Sequence, residues 1–359
     1  MHIGSIELVE FRNYRALRYS PSPRLNVLIG ANAQGKTNLL EALGVLLTGR
    51  SFRTSRLAEL PHWGAESASL AGELLREEGS RTVRRAIRRR EDGTWQVSGE
   101  GCPWARVIAF GWQDLEIVNG APAARRNFID GFAARLYPSH LAALVRFRNV
   151  LARRNRLLQE RPVDAGWGMR LAPWDDQVVA IGLELIDRRR RAVAALHGEL
   201  ARVYSLLSGE REKVEIRYRS SLGEAAEATA FHAALARQRP HEIRRGQTLV
   251  GPHRDDLAIE IDGADARAFG SRGQQRLLAL ALRLAEIMPV TEATGTAPVL
   301  LLDDALSELD PRVRDNVLRE IVTAEQVFLT SPETLTVADA ACWQVKGGGV
   351  RARGGMSAA

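Results

Sequence analysis

The segment Gly30-Ala-Asn-Ala-Gln-Gly35-Lys36-Thr37 fits the pattern G-x-x-x-x-G-K-[ST]. It lies between an unbroken apolar run, Leu25–Ile29, and an amphipathic stretch, Asn38–Leu47. Leu39, Leu43, Leu46 and Leu47 share one face of that stretch, and Gly49 stops it. A strand feeding a glycine-rich turn that opens a helix leaves few folds available. The glycines let backbone N–H groups wrap a phosphate, and the helix N-terminus adds a partial positive charge. Lys36 supplies a compact mobile cation, and Thr37 offers a hydroxyl to Mg²⁺. Only 3 of the 50 basic residues are lysines (Lys36, Lys213 and Lys346), so an ammonium stands here in a chain that otherwise uses guanidinium.

Three further apolar runs, Val107–Phe110, Val299–Leu302 and Val327–Leu329, are apolar throughout rather than alternating and read as buried parallel strands. Asp310–Thr323 opens with a capping Asp and Pro311, then repeats Val313, Val317 and Ile321 as a helix does. Between Leu70 and Val97, turns at Glu78-Gly79 and Asp92-Gly93 suggest an antiparallel meander. From about Arg125 to Ala236 the reading is mainly helical, with long stretches at 139–158 and 174–208 and a strand candidate at Val214–Tyr218. The tail from Gly347 reads as disordered. A doubly wound α/β core drawn from both chain ends, with a helical insertion between, accounts for this pattern.

With 359 residues, two or three domains are expected. No stretch approaches the roughly eighteen apolar residues of a bilayer helix, and the N-terminus lacks the apolar segment of a signal peptide. Cys102 and Cys342 form neither a disulfide framework nor a metal-site spacing, which points to a reducing cytoplasm. The net charge of +7 invites a polyanionic partner, although a solvated arginine-rich surface explains it equally well.

Val299-Leu-Leu-Leu-Asp303-Asp304 reads as the partner of the phosphate loop, an apolar strand ending in two carboxylates. Asp303 suits the Mg²⁺ shell and Asp304 the attacking water. Ser271-Arg-Gly273-Gln274-Gln275 opens an apolar helix over 273–288; a hydroxyl and backbone N–H groups at a helix start form a second phosphate surface, or simply a Ser cap. Ser307-Glu-Leu-Asp310 follows. This order resembles an ABC-type ATPase head, a P-loop NTPase of α/β class with a largely helical second lobe. The resemblance narrows to the RecF recombination-repair family through Phe11-Arg-Asn-Tyr14, Gly49-Arg-Ser-Phe-Arg-Thr54, Asn119 to Asp130, Arg153-Arg-Asn-Arg-Leu-Leu158, Trp174-Asp-Asp-Gln177 and Gly251-Pro-His-Arg-Asp-Asp256.

That resemblance implies an ATPase lobe over 1–118 and 290–359 and a mainly helical lobe over 119–289. It implies a weak, DNA-stimulated ATPase whose ATP-dependent homodimer clamps duplex DNA near single-strand gaps and, with RecO and RecR, helps load RecA. By position, Gly30, Ala31, Asn32, Ala33, Gln34, Gly35, Lys36, Thr37, Asn38 and Arg12 would contact ATP. Ser271, Gly273 and Gln274 would reach it from the second protomer. Thr37, Asp303 and Gln113 would serve Mg²⁺, and Lys36, Asp303, Asp304 and Gln113 the chemistry. Some positions depart from the family. Trp112-Gln113 replaces the usual Pro-Glu, Arg272 stands where Gln is common, and Thr330-Ser331 follows the last strand where transporter ATPases carry a histidine.

DNA candidates are Arg50, Arg53, Arg56, Arg153 and Arg154, with Arg81–Arg90, Arg146, Arg148, Arg156 and Arg188–Arg191 as further clusters. No aromatics interleave them, so phosphate-backbone contact is expected rather than base stacking. The rival readings are a transporter ATP-binding subunit, an SMC-type structural protein and a non-hydrolysing nucleotide-gated scaffold. The missing switch histidine and the long helical middle weigh against the first, and the absence of long heptads against the second. Asp304, shorter than the usual glutamate, keeps the third open.

Overall fold

A computed structural model describes residues 1–160, 166–224, 227–335, 337 and 339–353. The chain divides into one unit of Met1–Asp114, Leu206–Glu210 and Leu277–Ala359, and a second of Leu115–Ser205 and Arg211–Arg276.

In the first unit, strand β1 (His2–Phe11) alternates: Ile3, Ile6, Leu8 and Phe11 are buried while Glu7 and Val9 face solvent. This period marks a strand with one wet face. It pairs antiparallel with β2 (Tyr14–Tyr19). β3 (Leu25–Ile29) is buried at every residue and leads into helix α1 (Lys36–Thr48). Gly49 closes α1 in the left-handed region at φ 71, its N–H reaching the Val45 carbonyl. The meander is β4 (Ser67–Arg76), β5 (Gly79–Arg89) and β6 (Trp95–Ser98), and with the first two strands it completes a five-stranded sheet in the order β2-β1-β4-β5-β6. β7 (Val107–Phe110) follows.

The second unit is mainly helical. It comprises α2 (Leu115–Asn119), α3 (Pro122–Leu136), α4 (His140–Glu160), α5 (Trp167–Ser208) and α6 (Ala228–Arg245). A three-stranded antiparallel sheet joins them, from β8 (Val214–Arg219), β9 (Asp256–Ile261) and β10 (Ala264–Asp265). Its core includes Phe147, Val150, Val178, Leu185, Phe231 and Leu235. Short α7 (Ala266–Phe269) precedes α8 (Arg272–Leu284).

The chain passes into the first unit within α8, at Leu277, and continues through α9 (Ile287–Thr294), β11 (Val299–Leu302), α10 (Pro311–Ile321), β12 (Gln326–Ser331), β13 (Ala341–Lys346) and β14 (Gly349–Ala352). The six-stranded sheet runs β14-β13-β3-β12-β11-β7, parallel except for β14. The carboxyl ends of β3, β12 and β11 are therefore neighbours, the edge where open α/β sheets bind ligands.

Two expectations are corrected. The single helix over 273–288 is two helices, because Pro289 lacks the N–H that a continuous helix would need and falls instead in the first turn of α9, where no partner is required. The tail is ordered as far as Arg353: Gly347 and Gly348, at φ 54 and 77, form the two-residue turn between β13 and β14. Residues 354–359 lie outside the described residues.

Candidate functional site

The phosphate loop is held from three sides. Gly35 sits at φ 110, and an added Cβ would approach Asn13 to 2.5 Å and the Tyr14 hydroxyl to 2.9 Å. A Cβ on Gly30 would meet the Val345 carbonyl at 2.4 Å. Close neighbours require glycine at both positions, and at Gly35 the backbone conformation does as well. Tyr14 donates to the Gly35 carbonyl at 2.9 Å, Asn13 to the Gln34 carbonyl at 3.3 Å, and the Gly347 N–H to Gln34 Oε1 at 2.9 Å. Asn32 and Ala33 face solvent at the tip, Ala33 at φ 64. Lys36 folds back onto its own loop, donating to the Gly30 carbonyl at 2.6 Å and to Ala31 at 3.0 Å. Burial pushes its ammonium below the ordinary lysine value, and the carboxylates of Asp303 and Asp304 oppose that shift.

Across the strand ends, Thr37 donates to Asp303 Oδ1 at 2.8 Å and Thr330 to the same oxygen at 2.9 Å. The Thr330 hydroxyl also accepts the Asp304 N–H at 2.8 Å. Burial raises the Asp303 carboxyl above its ordinary value, while Thr37, Thr330 and Arg53 favour the charged form. Thr37 and Asp303 form a hard-oxygen pair beside the loop, the donor chemistry of an Mg²⁺ site completed by water and phosphate. Thr330 is buried. Its hydroxyl bridges and orients the acid pair. Asp304 is exposed and holds a left-handed backbone at φ 53.

Glu41, fully buried on α1, gathers the next group. Arg12 grips it with two bonds of 2.8 Å, Ser51 donates at 2.5 Å and Arg53 at 3.1 Å. Arg53 also donates to Asn38 Oδ1 at 2.8 Å, and Asn38 to Asn13 at 2.7 Å. Arg12 therefore has its guanidinium on a carboxylate, and Arg53, expected at DNA, donates to Asn38 and Glu41 beside the phosphate loop. Gln113 donates to the Arg53 carbonyl at 3.0 Å and shares a small cleft with Arg53, Trp112 and Asp303. Trp112 is 67% exposed. Asp114 accepts the Gly111 N–H at 2.8 Å and pairs with Arg283, fixing the turn that carries Gln113.

Sequence reasoning gave no role to Asn13, Tyr14, Glu41, Thr330 as an orienting group, or Asp114. The family pattern carried the signal for them: Phe11-Arg-Asn-Tyr14, the stretch Gly35-Lys-Thr-Asn38-Leu-Leu-Glu-Ala42 and Trp112-Gln-Asp-Leu115, with Thr330 standing where transporter ATPases carry a histidine.

In the second unit, Ser271 and Gln274 form a reciprocal cap at the start of α8: the Ser271 N–H donates to Gln274 Oε1 at 2.8 Å and the Gln274 N–H to Ser271 Oγ at 3.2 Å. Gln274 also donates to Glu212 at 2.6 Å. Ser271, Arg272 and Gly273 are exposed. Of the DNA candidates, Arg50, Arg56 and Arg153 are exposed. Arg154 is corrected. It is 0% exposed, with bonds to Asp175 and Glu242 at 2.7 Å and to Thr248 at 2.8 Å, because it occupies the apolar stripe of α4 between Val150 and Leu158.

A parallel sheet with a phosphate loop, a strand-end carboxylate pair and a separate Ser-x-Gly-Gln helix start defines an ABC/SMC-type ATPase head. The family model for the RecF/RecN/SMC N terminal domain matches residues 2–347. The chain is 38% identical over 354 residues to the DNA replication and repair protein RecF of Synechococcus sp. (strain JA-3-3Ab), covering 92% of this chain and 91% of the relative. It is 33% identical over 374 residues to that of Halalkalibacterium halodurans, covering 99% and 100%. The solved structure of RecF with ATP in the RecFOR pathway aligns over 98% of both chains with a TM-score of 0.87 and 28% identity. A Pyrococcus furiosus Smc head shares the fold at a TM-score of 0.55 and 19% identity, covering 98% of this chain and 96% of that one. The chain belongs to the RecF family of DNA replication and repair proteins. Among the described residues no helix is long and apolar enough to cross a membrane.

Proposed function

We propose that the chain is an ATP-driven DNA clamp of recombinational repair and fork maintenance, acting in the cytoplasm. What carries this reading is the hydroxyl–carboxylate chain Thr37–Asp303–Thr330, strung across neighbouring strand ends beside the loop that cradles Lys36. Backbone N–H groups from Gly30 to Asn38 hold the triphosphate of ATP, and Lys36 exchanges its two loop carbonyls for the outer phosphates. Thr37 and Asp303 would hold Mg²⁺, which would supply neutralisation of developing phosphate charge. Burial suits Asp303 to this: the cost of its charge is offset once a cation sits beside it. Gln113 orients water at the outer phosphate, and Asp304, its backbone fixed by Thr330, accepts the water's proton. Arg12 acts through Glu41, holding Asn38 and the loop in register.

Ser271, Gly273 and the N–H groups of α8 close over ATP held by a second copy, with Gln274 keeping Ser271 in place. Closure brings the exposed Arg50, Arg56 and Arg153 to duplex DNA beside a single-strand gap through phosphate contacts. RecO- and RecR-type partners then promote loading of a RecA-type protein, and slow, DNA-stimulated hydrolysis reopens the dimer. Sedimentation velocity tests the cycle. ATP with Mg²⁺ should convert wild-type protein to a dimer, Lys36→Met should stay monomeric, and Asp304→Asn should remain dimeric for longer than wild type. A monomer in all three samples would overturn the clamp.

A further inference from the structure

The three lysines of this arginine-rich chain have different surroundings. Lys213 pairs with Glu215, and Lys36 donates to the Gly30 and Ala31 carbonyls within the phosphate loop. Lys346, the last residue of β13, is exposed and makes no hydrogen bond or ion pair among the described residues.

The sheet fixes where Lys346 stands. β13 runs parallel to β3, with Trp343 opposite Leu28 and Gln344 opposite Ile29. The next pair brings the Val345 carbonyl to within 2.4 Å of where a Cβ on Gly30 would sit, so the pairing reaches the loop. Continuing the register places Lys346 beside Ala31, one strand spacing of about 4.8 Å away, at the carboxyl edge of the sheet. Trp343 anchors the strand by donating to Asn26 Oδ1 at 3.0 Å and meeting the Tyr19 ring edge-on, the centroids 4.9 Å apart. Beyond Lys346 the turn is tied to the loop itself. The Gly347 N–H donates to Gln34 Oε1 at 2.9 Å, and a Cβ on Gly348 would stand 2.9 Å from the Asn13 carbonyl. The β13–β14 hairpin is therefore a wall of the phosphate site, and the Gln34 side chain, within the loop motif, holds that wall in place.

Charge selects what an ammonium does here. Lys36 occupies the carbonyl of Ala31, the residue beside Lys346, so two like charges share one short stretch of loop, which is unfavourable until an anion joins them. Arg12 and Arg53, the guanidinium groups beside the loop, are bound to Glu41. A nucleotide triphosphate carries more negative charge than Lys36 and one divalent cation neutralise. A compact ammonium on a flexible stem suits an oxygen of that triphosphate.

We propose that Lys346 binds the triphosphate held by the loop of its own copy, and that the Gln34–Gly347 bond positions it there. The inference rests on the nucleotide reading above and adds the β13–β14 hairpin to that site. Contact with duplex DNA would not need the hairpin to be bonded to the loop; contact with the nucleotide does.

Isothermal titration of the full chain with ATP and Mg²⁺ at low salt tests this. Lys346→Gln should weaken ATP binding by about tenfold, the effect of one charge-assisted bond, and Lys346→Arg, which keeps the charge, should stay within about threefold of wild type. Lys213→Gln, in the second unit, should stay within about twofold. Gln34→Ala should weaken ATP by about fivefold in the wild-type background but by less than about twofold beside Lys346→Gln, because it acts through the hairpin. A bond that merely steadied the loop would cost the same in both backgrounds, and equal losses would overturn the positioning role. Because Lys346 is exposed, its variants should keep the wild-type urea midpoint. If Lys36→Met loses ATP while Lys346→Gln holds it within about twofold of wild type, this inference alone is overturned. In that case a loss of affinity for gapped duplex DNA in Lys346→Gln would assign the hairpin to DNA, and a loss of ATP-driven dimerisation would assign it to the second copy. ATP binding unchanged in Lys36→Met would overturn the nucleotide reading and this inference with it.

Discussion

Replacing Arg154 separates structural from functional arginines. Its guanidinium is 0% exposed and joins Asp175, Glu242 and Thr248. In Arg154→Met the volume is roughly kept, but two buried acids lose a cation. Asp175 retains Arg239, whereas Glu242 keeps, among the described residues, only the Leu249 N–H at 2.8 Å. Removing one partner of a buried ion pair costs about 3–5 kcal/mol, because the other charge stays desolvated. That is a large share of the roughly 5–15 kcal/mol that holds a domain folded. Urea unfolding followed by circular dichroism should place Arg154→Met about 3 kcal/mol or more below wild type, with Arg153→Met, exposed and stacked over Trp174, within about 1 kcal/mol. Adding Glu242→Gln to Arg154→Met should recover part of the loss, since a neutral amide is easier to bury than an orphaned carboxylate. If Arg154→Met kept wild-type stability and lost DNA affinity instead, the burial argument would be wrong.

Two further outcomes follow from the same contacts. Arg53→Ala should weaken nucleotide binding, measured with a fluorescent ATP analogue, by about tenfold, because Asn38 and Glu41 each lose a charge-assisted bond; Arg56→Ala, 83% exposed, should leave it unchanged and lower only DNA affinity. His253 gives a pH signature: burial pushes its folded pKa down to about 4, below the ordinary histidine value of about 6.5, so the unfolded chain binds the proton first. Its contribution is complete above about pH 6.5 and is lost as pH falls toward 4. Acidification from pH 7 to 5 should therefore cost about 2 kcal/mol through this group, and His253→Gln should flatten that part of the profile.

The sequence made the loop and its flanking elements legible because each local signal agreed: an unbroken apolar strand, a glycine turn, a helix stripe and a stop at Gly49. Asp303 and Asp304 were legible for the same reason. What failed was context. Gly347-Gly348 read as a flexible tail, although two adjacent glycines also suit the paired positive φ angles of a tight hairpin, and β13 beside them is only partly buried and polar enough to lack a buried-strand signature. Arg154 read as part of a basic surface run, yet it falls on the stripe Phe147, Val150, Arg154, Leu158; its acids lie far along the chain and no pattern announces them. Glu41 escaped because only the fold brings Arg12 and Arg53 to the same carboxylate.

The most direct test of the clamp is steady-state ATP hydrolysis at moderate salt, with and without gapped duplex DNA and with Lys36→Met as the blank. The account predicts slow turnover in wild-type protein, raised several-fold by the gapped duplex, and none above the blank in the variant. Hydrolysis indifferent to DNA, or ATP bound with no turnover under either condition, would contradict it.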